Sequence, residues 1–435
     1  MSPLLVGCVG FLLVFLLMAL GMPIAYSMIT IGFGGIYYLS GSGVALASLG
    51  RIPFFWTTVY IFMACPLFIL MGFVFSRSGI ARDIYEVANK WLGRLPGGLA
   101  LATVGGCGLF AAVSGTSTAG AATMSNIAYP EMRRYNYDEG LSVGAISAGG
   151  TLGIMIPPSV GFIMYALLTQ ASIGQLFIAG IIPGIVEASF YFATIIILVK
   201  MKPHLAPLPP GAYSWKEKIV SLKFIWPVVA LFLIVLGGIY LGLFTPVEAG
   251  AVGSAITIVL TLVMRRLTFR GLWESVLDTV RVTVMIFMLI MGAMVFNVFL
   301  ALSNLPQSLN AILNGLDSRS AVLALILLMY LPMGAFMDTT AMFVLTVPLY
   351  LPTLISHNID LLWFGVLVVR ATEIALISPP LGMDVFVVSG IVDIPVEKAF
   401  KGVVPFLIAD VFNLALLALF PQLSLFLPAM MMKIG

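Results

Sequence analysis

GGTLGIMIPPSVG, residues 149–161, and ATEIALISPPLGM, residues 371–383, each place a Pro-Pro pair in the middle of a long apolar run. The pairs, Pro157-Pro158 and Pro379-Pro380, stand 222 positions apart. The same shift carries Pro130 onto Pro352 and Pro183 onto Pro405, and these four are all the prolines from Ser117 to Pro183. Thr118-Ala119 falls on Thr340-Ala341, and Gly180 on Gly402. Proline is scarce, 25 in 435 residues, so four matches out of four mark an internal repeat. Each Pro-Pro pair deletes two adjacent N–H donors and frees carbonyls of the preceding turn. Long apolar segments interrupted at matching places in two halves point to a secondary transporter whose binding site lies at the breaks.

The composition agrees with a membrane setting. The chain is 61% hydrophobic and 9% charged. Runs of about 20 apolar residues cross a bilayer core, and here they follow one another almost continuously. In lipid every backbone group needs an internal partner, so an all-α polytopic fold is expected. The net charge of +3 does not indicate nucleic acid, because the basic residues sit in short loops. Cys8, Cys65 and Cys107 lie in apolar surroundings without CxxC spacing and read as packing residues. The first apolar run has no basic segment before it, so it reads as a span rather than a signal peptide.

Ten spans are expected, at about 4–20, 24–39, 54–75, 140–168, 173–199, 225–243, 246–264, 280–302, 361–390 and 404–427. Two more segments, 98–127 and 320–350, are broken near the middle by SGTST and MDTT. Each is long for one helix and short for two spans, which suggests re-entrant hairpins with their tips in protein or a watery cavity. Segments 80–92 and 269–283 are amphipathic, carry Trp91 and Trp273, and suit helices lying at the membrane surface. The expected division is 1–75 for N-terminal scaffold spans, 76–200 for the first repeat, 201–280 for a Pro-rich linker and central scaffold spans, and 281–435 for the second repeat.

Basic residues orient this arrangement. With Arg77 to Arg94 inside, seventeen of the 21 basic residues fall on the cytoplasmic face, among them Arg133, Arg134, Lys200, Arg266, Arg281 and Lys398. Arg51, Arg319 and Lys433 fall outside, and Arg370 lies within a span. Five spans separate the hairpins. Five is odd, so the hairpins open to opposite faces and the repeats are inverted. Both termini come out on the non-cytoplasmic side.

The polar chemistry at depth is confined to the breaks. The first tip runs Ser114, Gly115, Thr116, Ser117, Thr118. In the repeat, Asp338 stands for Thr116, Thr339 for Ser117 and Thr340 for Thr118. Hydroxyls, one carboxylate and free carbonyls are hard oxygen ligands suited to Na⁺, and the positive end of a half-helix favours an anion. The same small residues also suit close helix packing. Across from the tips, Thr151, Gly153, Ile156 and Pro157 in one half, and Glu373, Ile377, Ser378 and Pro380 in the other, are the candidates to complete a site. Arg370 and Glu373 are three apart on one helical face, so they either pair with each other or serve the substrate and the cation. Glu187, Glu248, Asp384 and Asp410 lie nearer span ends and read as structural. Nothing resembles an enzyme site. His204 and His357 fall in loops, and no Walker A sequence is present.

SGTSTAGA, YPEMRRYNY and GGTLGIMIPPSVGFIMYALLTQASIGQLFIAGIIPG, with GAFMDTTA and EIALISPPLGMDVFV in the second half, resemble the large membrane subunit of TRAP transporters (tripartite ATP-independent periplasmic, DctM-like). The resemblance spans essentially the whole chain. It implies an ion-transporter-superfamily fold, elevator movement and uptake coupled to two or more Na⁺ at the bacterial inner membrane. It implies one Na⁺ site of Ser114, Ser117, Thr118, Thr151, Gly153 and Pro157, and a second of Asp338, Thr340, Glu373, Ile377 and Pro380. It puts the substrate between the tips, near Ser114, Thr116, Asp338, Thr339 and Arg370. It also implies a four-helix small membrane subunit, expected as a separate chain, and a periplasmic substrate-binding protein. The cargo class is a small organic anion: a C4-dicarboxylate, another keto or hydroxy acid, a sugar acid or a sulfonate. A stand-alone symporter without a binding protein is the alternative, and a channel a more distant one.

Overall fold

The computed structural model describes residues 1–208, 213–316, 318–334, 337–380 and 382–431. All secondary structure among them is helical. The chain opens with α1 (Pro3–Ala19), α2 (Ile24–Thr57), α3 (Ala64–Arg77) and the short α4 (Ile80–Leu92). The first hairpin is α5 (Gly98–Ser114) and α6 (Ser117–Arg134). The first interrupted span follows as α7 (Glu139–Met155) and α8 (Val160–Thr169), bent by 42°, and then comes α9 (Ile173–Met201). The centre holds α10 (Trp215–Ser221), α11 (Trp226–Tyr240), α12 (Pro246–Val263) and α13 (Phe269–Leu302). The second half runs α14 (Leu305–Asn314), hairpin α15 (Arg319–Met333) and α16 (Thr339–Ser356), interrupted span α17 (Leu361–Ile377) and α18 (Met383–Val392), then α19 (Val396–Leu419) and α20 (Gln422–Met431).

Among the described residues, seven helices are long and apolar enough to cross a bilayer, and two bent pairs raise the number to nine. One of the seven, α16, is a hairpin arm. The 17-residue α1 and the α17–α18 pair occupy the remaining expected spans. The result is an all-α polytopic membrane fold with two helical hairpins in an inverted repeat.

Three expectations are corrected. Segment 269–283 is not a separate surface helix: it is the first part of the 34-residue α13, whose buried stripe runs through Ser275, Thr279, Ile286 and Leu289. Thr268 caps that helix, and nothing between the two parts breaks it. The counterpart of α4 under the 222-residue shift is α14, whose Leu305, Leu309 and Leu313 make an inward face. The span expected at 54–75 starts later, because α2 bends at Gly41 (φ +84) and runs on to Thr57 before a single 3₁₀ turn leads into α3. The last span ends at Leu419, and Pro421 separates it from α20.

Two helices lie innermost. Every residue of α7 from Gly140 to Met155 is buried, and so is every residue of α17 from Trp363 to Ile377. The run GLSVGAISAGG lets neighbours approach closely: a Cβ on Gly402 of α19 would lie 2.0 Å from the Gly140 carbonyl oxygen. At the basic end of the bundle, ion pairs fasten α4 and α3 to the start of α13. Arg266 meets Asp83 at 2.6 Å, and Arg77 meets Glu274 at 2.8 Å and also Asp278. Exposed apolar side chains, including Leu12, Tyr38, Phe54, Ile234 and Phe412, cover the outer faces, as expected for contact with lipid.

Candidate functional site

The two hairpin tips meet at one cavity of about 490 Å³. Ser114, Gly115, Thr116, Ser117 and Thr118 line it from the first tip, and Asp338, Thr339 and Thr340 from the second. Ile154 and Leu376 contribute from the interrupted spans. The opposite wall is apolar and comes from α3 and α13, through Ile69, Phe73, Met285 and Ile286. That wall reaches Ser76 and Val282, which adjoin Arg77 and Arg281.

The local fold explains how polar groups arrive there. α5 ends at Gly115 (φ +66), a left-handed residue that reverses the chain, and Thr116 starts α6 in extended conformation. The carbonyl of Gly115 accepts a hydrogen bond, 3.2 Å, from the N–H of Val160, the first residue of α8 after the Pro-Pro break. The tip is thus docked on the interruption itself. Gly153 makes that docking possible: a Cβ there would lie 2.5 Å from the Thr116 carbonyl oxygen. In the second half the glycine has changed sides. Ala375 stands where Gly153 would repeat, and the hairpin supplies Gly334, whose Cβ would lie 2.3 Å from that of Ala375. Asp338 caps α16, its Oδ1 accepting from Ala341 N at 3.2 Å.

Several polar atoms around the cavity have no protein partner. The hydroxyls of Ser114 and Thr339 are buried and unbonded among the described residues. Buried polar atoms are normally hydrogen-bonded, so these two hydroxyls stand out. No group of three His, Cys, Asp or Glu side chains is placed to cage a metal among the described residues. The oxygens around the cavity are hydroxyls, backbone carbonyls and single carboxylates.

The remaining sequence candidates lie elsewhere. Pro157 is buried beside the first tip, whereas Pro380 is exposed. Ile377 is buried at the end of α17. Arg370, Glu373 and Thr151 meet in a separate buried cluster. Arg370 is fully buried, with Nη1 2.6 Å from Glu187 Oε1 and 2.7 Å from Glu373 Oε2, while Nη2 pairs with Asp410. Thr151 belongs to the same cluster, its hydroxyl 3.1 Å from Glu187 Oε1 and 3.0 Å from the Tyr191 hydroxyl. At 100° per residue, Thr151 and Gly153 point to different sides of α7, so only Gly153 faces the tip. Arg370 is surrounded by three carboxylates and is not among the residues that line the cavity, and Glu373 pairs with it, as one reading of their spacing expected.

Sequence reasoning had set aside Glu187, Asp410 and Asp384 as structural. The first two lie about one turn beyond the repeated Pro183 and Pro405, and they complete the Arg370 cluster. Asp384 reaches the first tip: Ser117 Oγ donates to its Oδ1 at 3.2 Å. Its position in the first turn after the second break was the available signal. The apolar wall from α3 and α13 carried none.

Two helical hairpins facing each other across a cavity, each set against an interrupted span in two inverted halves, define a membrane transport protein of the secondary-transporter type. The profile of the family described as "Tripartite ATP-independent periplasmic transporter, DctM component" matches residues 11–423, and the chain belongs to that family. It is 34% identical over 372 residues to the C4-dicarboxylate TRAP transporter large permease protein DctM of Pseudomonas aeruginosa, covering 85% of this chain and 86% of that one. It is 32% identical over 420 residues to the sialic acid TRAP transporter large permease protein SiaM of Vibrio cholerae, covering 95% and 96%. Among solved structures, the Alcanivorax borkumensis YdaH transporter matches with a TM-score of 0.65 at 14% identity, over 88% of this chain and 89% of that one, a likeness of fold.

Proposed function

We propose that this multi-pass protein is the large permease of a Na⁺-coupled TRAP system in the bacterial inner membrane, importing a small organic anion, most simply a carboxylate. The observation that carries the reading is the shared cavity, where Asp338 and the unpartnered hydroxyls of Ser114 and Thr339 face one another. Asp338 would repel an anion unless a cation stands beside it, so cation binding precedes cargo. Half-helix N-termini at Ser117 and Thr339 then favour the carboxylate of the cargo. The relatives named for C4-dicarboxylates and sialic acid carry carboxylates, which supports that class. A periplasmic binding protein delivers the anion, and a separate small membrane subunit completes the complex. Both chain termini face the periplasm. The hairpins and interrupted spans move as one elevator unit past α3 and α13, with the cavity at the boundary.

Uptake by the reconstituted complex, with its binding protein, tests this. Dependence on external Na⁺ should be sigmoidal, reflecting two or more ions, and uptake should respond to membrane potential. Full uptake in Na⁺-free buffer under a proton gradient alone would exclude Na⁺ coupling.

A further inference from the structure

The two tips differ in charge. The second tip carries Asp338 at the start of α16. The first tip has Thr116 at the corresponding place, and Ser114, Thr116, Ser117 and Thr118 are all neutral. Two cation sites at two such tips would be electrically unequal, because only one would hold a carboxylate.

The structure supplies the missing charge from the other repeat. Asp384 belongs to α18, the half-helix after the second break, and α18 packs against α6 of the first hairpin. Its carboxylate is fully buried. Oδ1 accepts the hydrogen bond from Ser117 Oγ, in the first turn of α6. Oδ2 has no partner among the described residues. Ser114, on the same tip, also has a buried and unbonded hydroxyl. Met383 and Val387, on either side of Asp384 along α18, line the cavity with Ser117 and Thr118. The residue one repeat earlier is Phe162, so this carboxylate has no twin in the first half.

We infer that Asp384 is the carboxylate of a Na⁺ site at the first tip, a ligand contributed across the repeat boundary so that each tip helix begins beside one negative charge. An ion there takes Asp384 Oδ2 and the tip's oxygens as ligands, and it neutralises a charge that is otherwise costly at this depth. The ion ties the first hairpin to the second half, so filling this site needs both repeats in register. The inference rests on the Na⁺-coupled reading above.

Na⁺ itself serves as the probe. The purified complex of the large permease with its small subunit is titrated with NaCl at constant ionic strength in choline chloride, and the thermal unfolding midpoint is followed. The native complex should be stabilised by Na⁺ with a cooperative dependence. Asp384→Asn should raise the half-saturating Na⁺ concentration by roughly tenfold or more and flatten the dependence toward one ion. Thr116→Asp combined with Asp384→Asn puts the carboxylate where the second tip has it, and should bring half-saturation back toward the native value. A native complex indifferent to Na⁺ would defeat the coupling reading and this inference with it. A native complex that responds, beside an Asp384→Asn variant with the same half-saturation and cooperativity, would overturn this inference alone. If Asp384→Asn does not fold, the double variant decides. A folded, Na⁺-responsive double variant supports the assignment. Failure of both to fold overturns it, because the carboxylate would then be required by α18 itself.

Discussion

Asp338 combines two roles that one substitution separates. Its side chain caps α16 through Ala341 N, and it also faces the cavity. Asparagine is about as good a cap as aspartate, so Asp338→Asn keeps the helix start and removes only the charge. Thermal stability should stay within about 1 kcal/mol of native while Na⁺-dependent uptake collapses. Near-normal uptake with native Na⁺ dependence would reduce Asp338 to a cap. Arg370 has a different setting, an ion cluster away from the cavity lining. Arg370→Met leaves Glu187, Glu373 and Asp410 buried together with no counter-charge. Breaking a buried ion pair from one side costs about 3–5 kcal/mol, so the variant should express poorly or melt far earlier. Wild-type melting would show that the cluster does not need its guanidinium. The tip residues were legible because hydroxyls and a carboxylate stand out in apolar sequence. Two partners of Arg370 were not, since Glu187 and Asp410 are far from it along the chain and only the packing of α9 and α19 on α17 joins them.

At the scale of elements, the interrupted spans were readable because a Pro-Pro pair marks each break, and the hairpins because SGTST and MDTT interrupt apolar runs. The docking between them was not, since it depends on where a side chain is missing. Gly153 admits the first tip, and Gly334 serves the second. Gly153→Ala sets a methyl 2.5 Å from the Thr116 oxygen, so α6 or α7 must shift. Crowding of this kind costs about 1–3 kcal/mol, and here it also displaces the groups that line the cavity. The complex should still assemble with its small subunit, while Na⁺ stabilisation measured against choline falls away. Unaltered Na⁺ stabilisation would mean that the tip has slack at this point. The amphipathic helices show a different limit. Amphipathic periodicity marked 80–92 as a surface helix, and a separate helix stands there, yet the same pattern at 269–283 proved to be the first part of a long helix. Periodicity reports a face, and only the chain's direction beyond it tells whether the helix stops.

For the whole molecule, charge segregation and the odd number of spans predict a topology that labelling tests. Arg133 and Ser356 are both exposed, at or near the ends of α6 and α16. Single cysteines there, in a background lacking the exposed Cys8 and the buried Cys65 and Cys107, should react differently with an impermeant thiol reagent in intact cells. Position 356 should label and position 133 should not. Equal labelling would refute the inverted arrangement. The same orientation gives the extent of the cavity a further meaning. Its wall runs from the tips to Ser76 and Val282, beside arginines placed on the cytoplasmic face. In the proposed import cycle, with Arg77 and Arg281 on the cytoplasmic side, this is the conformation that unloads, and the compartment it faces is the one being filled. Cargo that has accumulated in the cell meets an empty seat at each turn of the cycle. Import should slow as the internal pool grows, a feedback that needs no regulator and would appear as falling initial rates in vesicles preloaded with the transported anion.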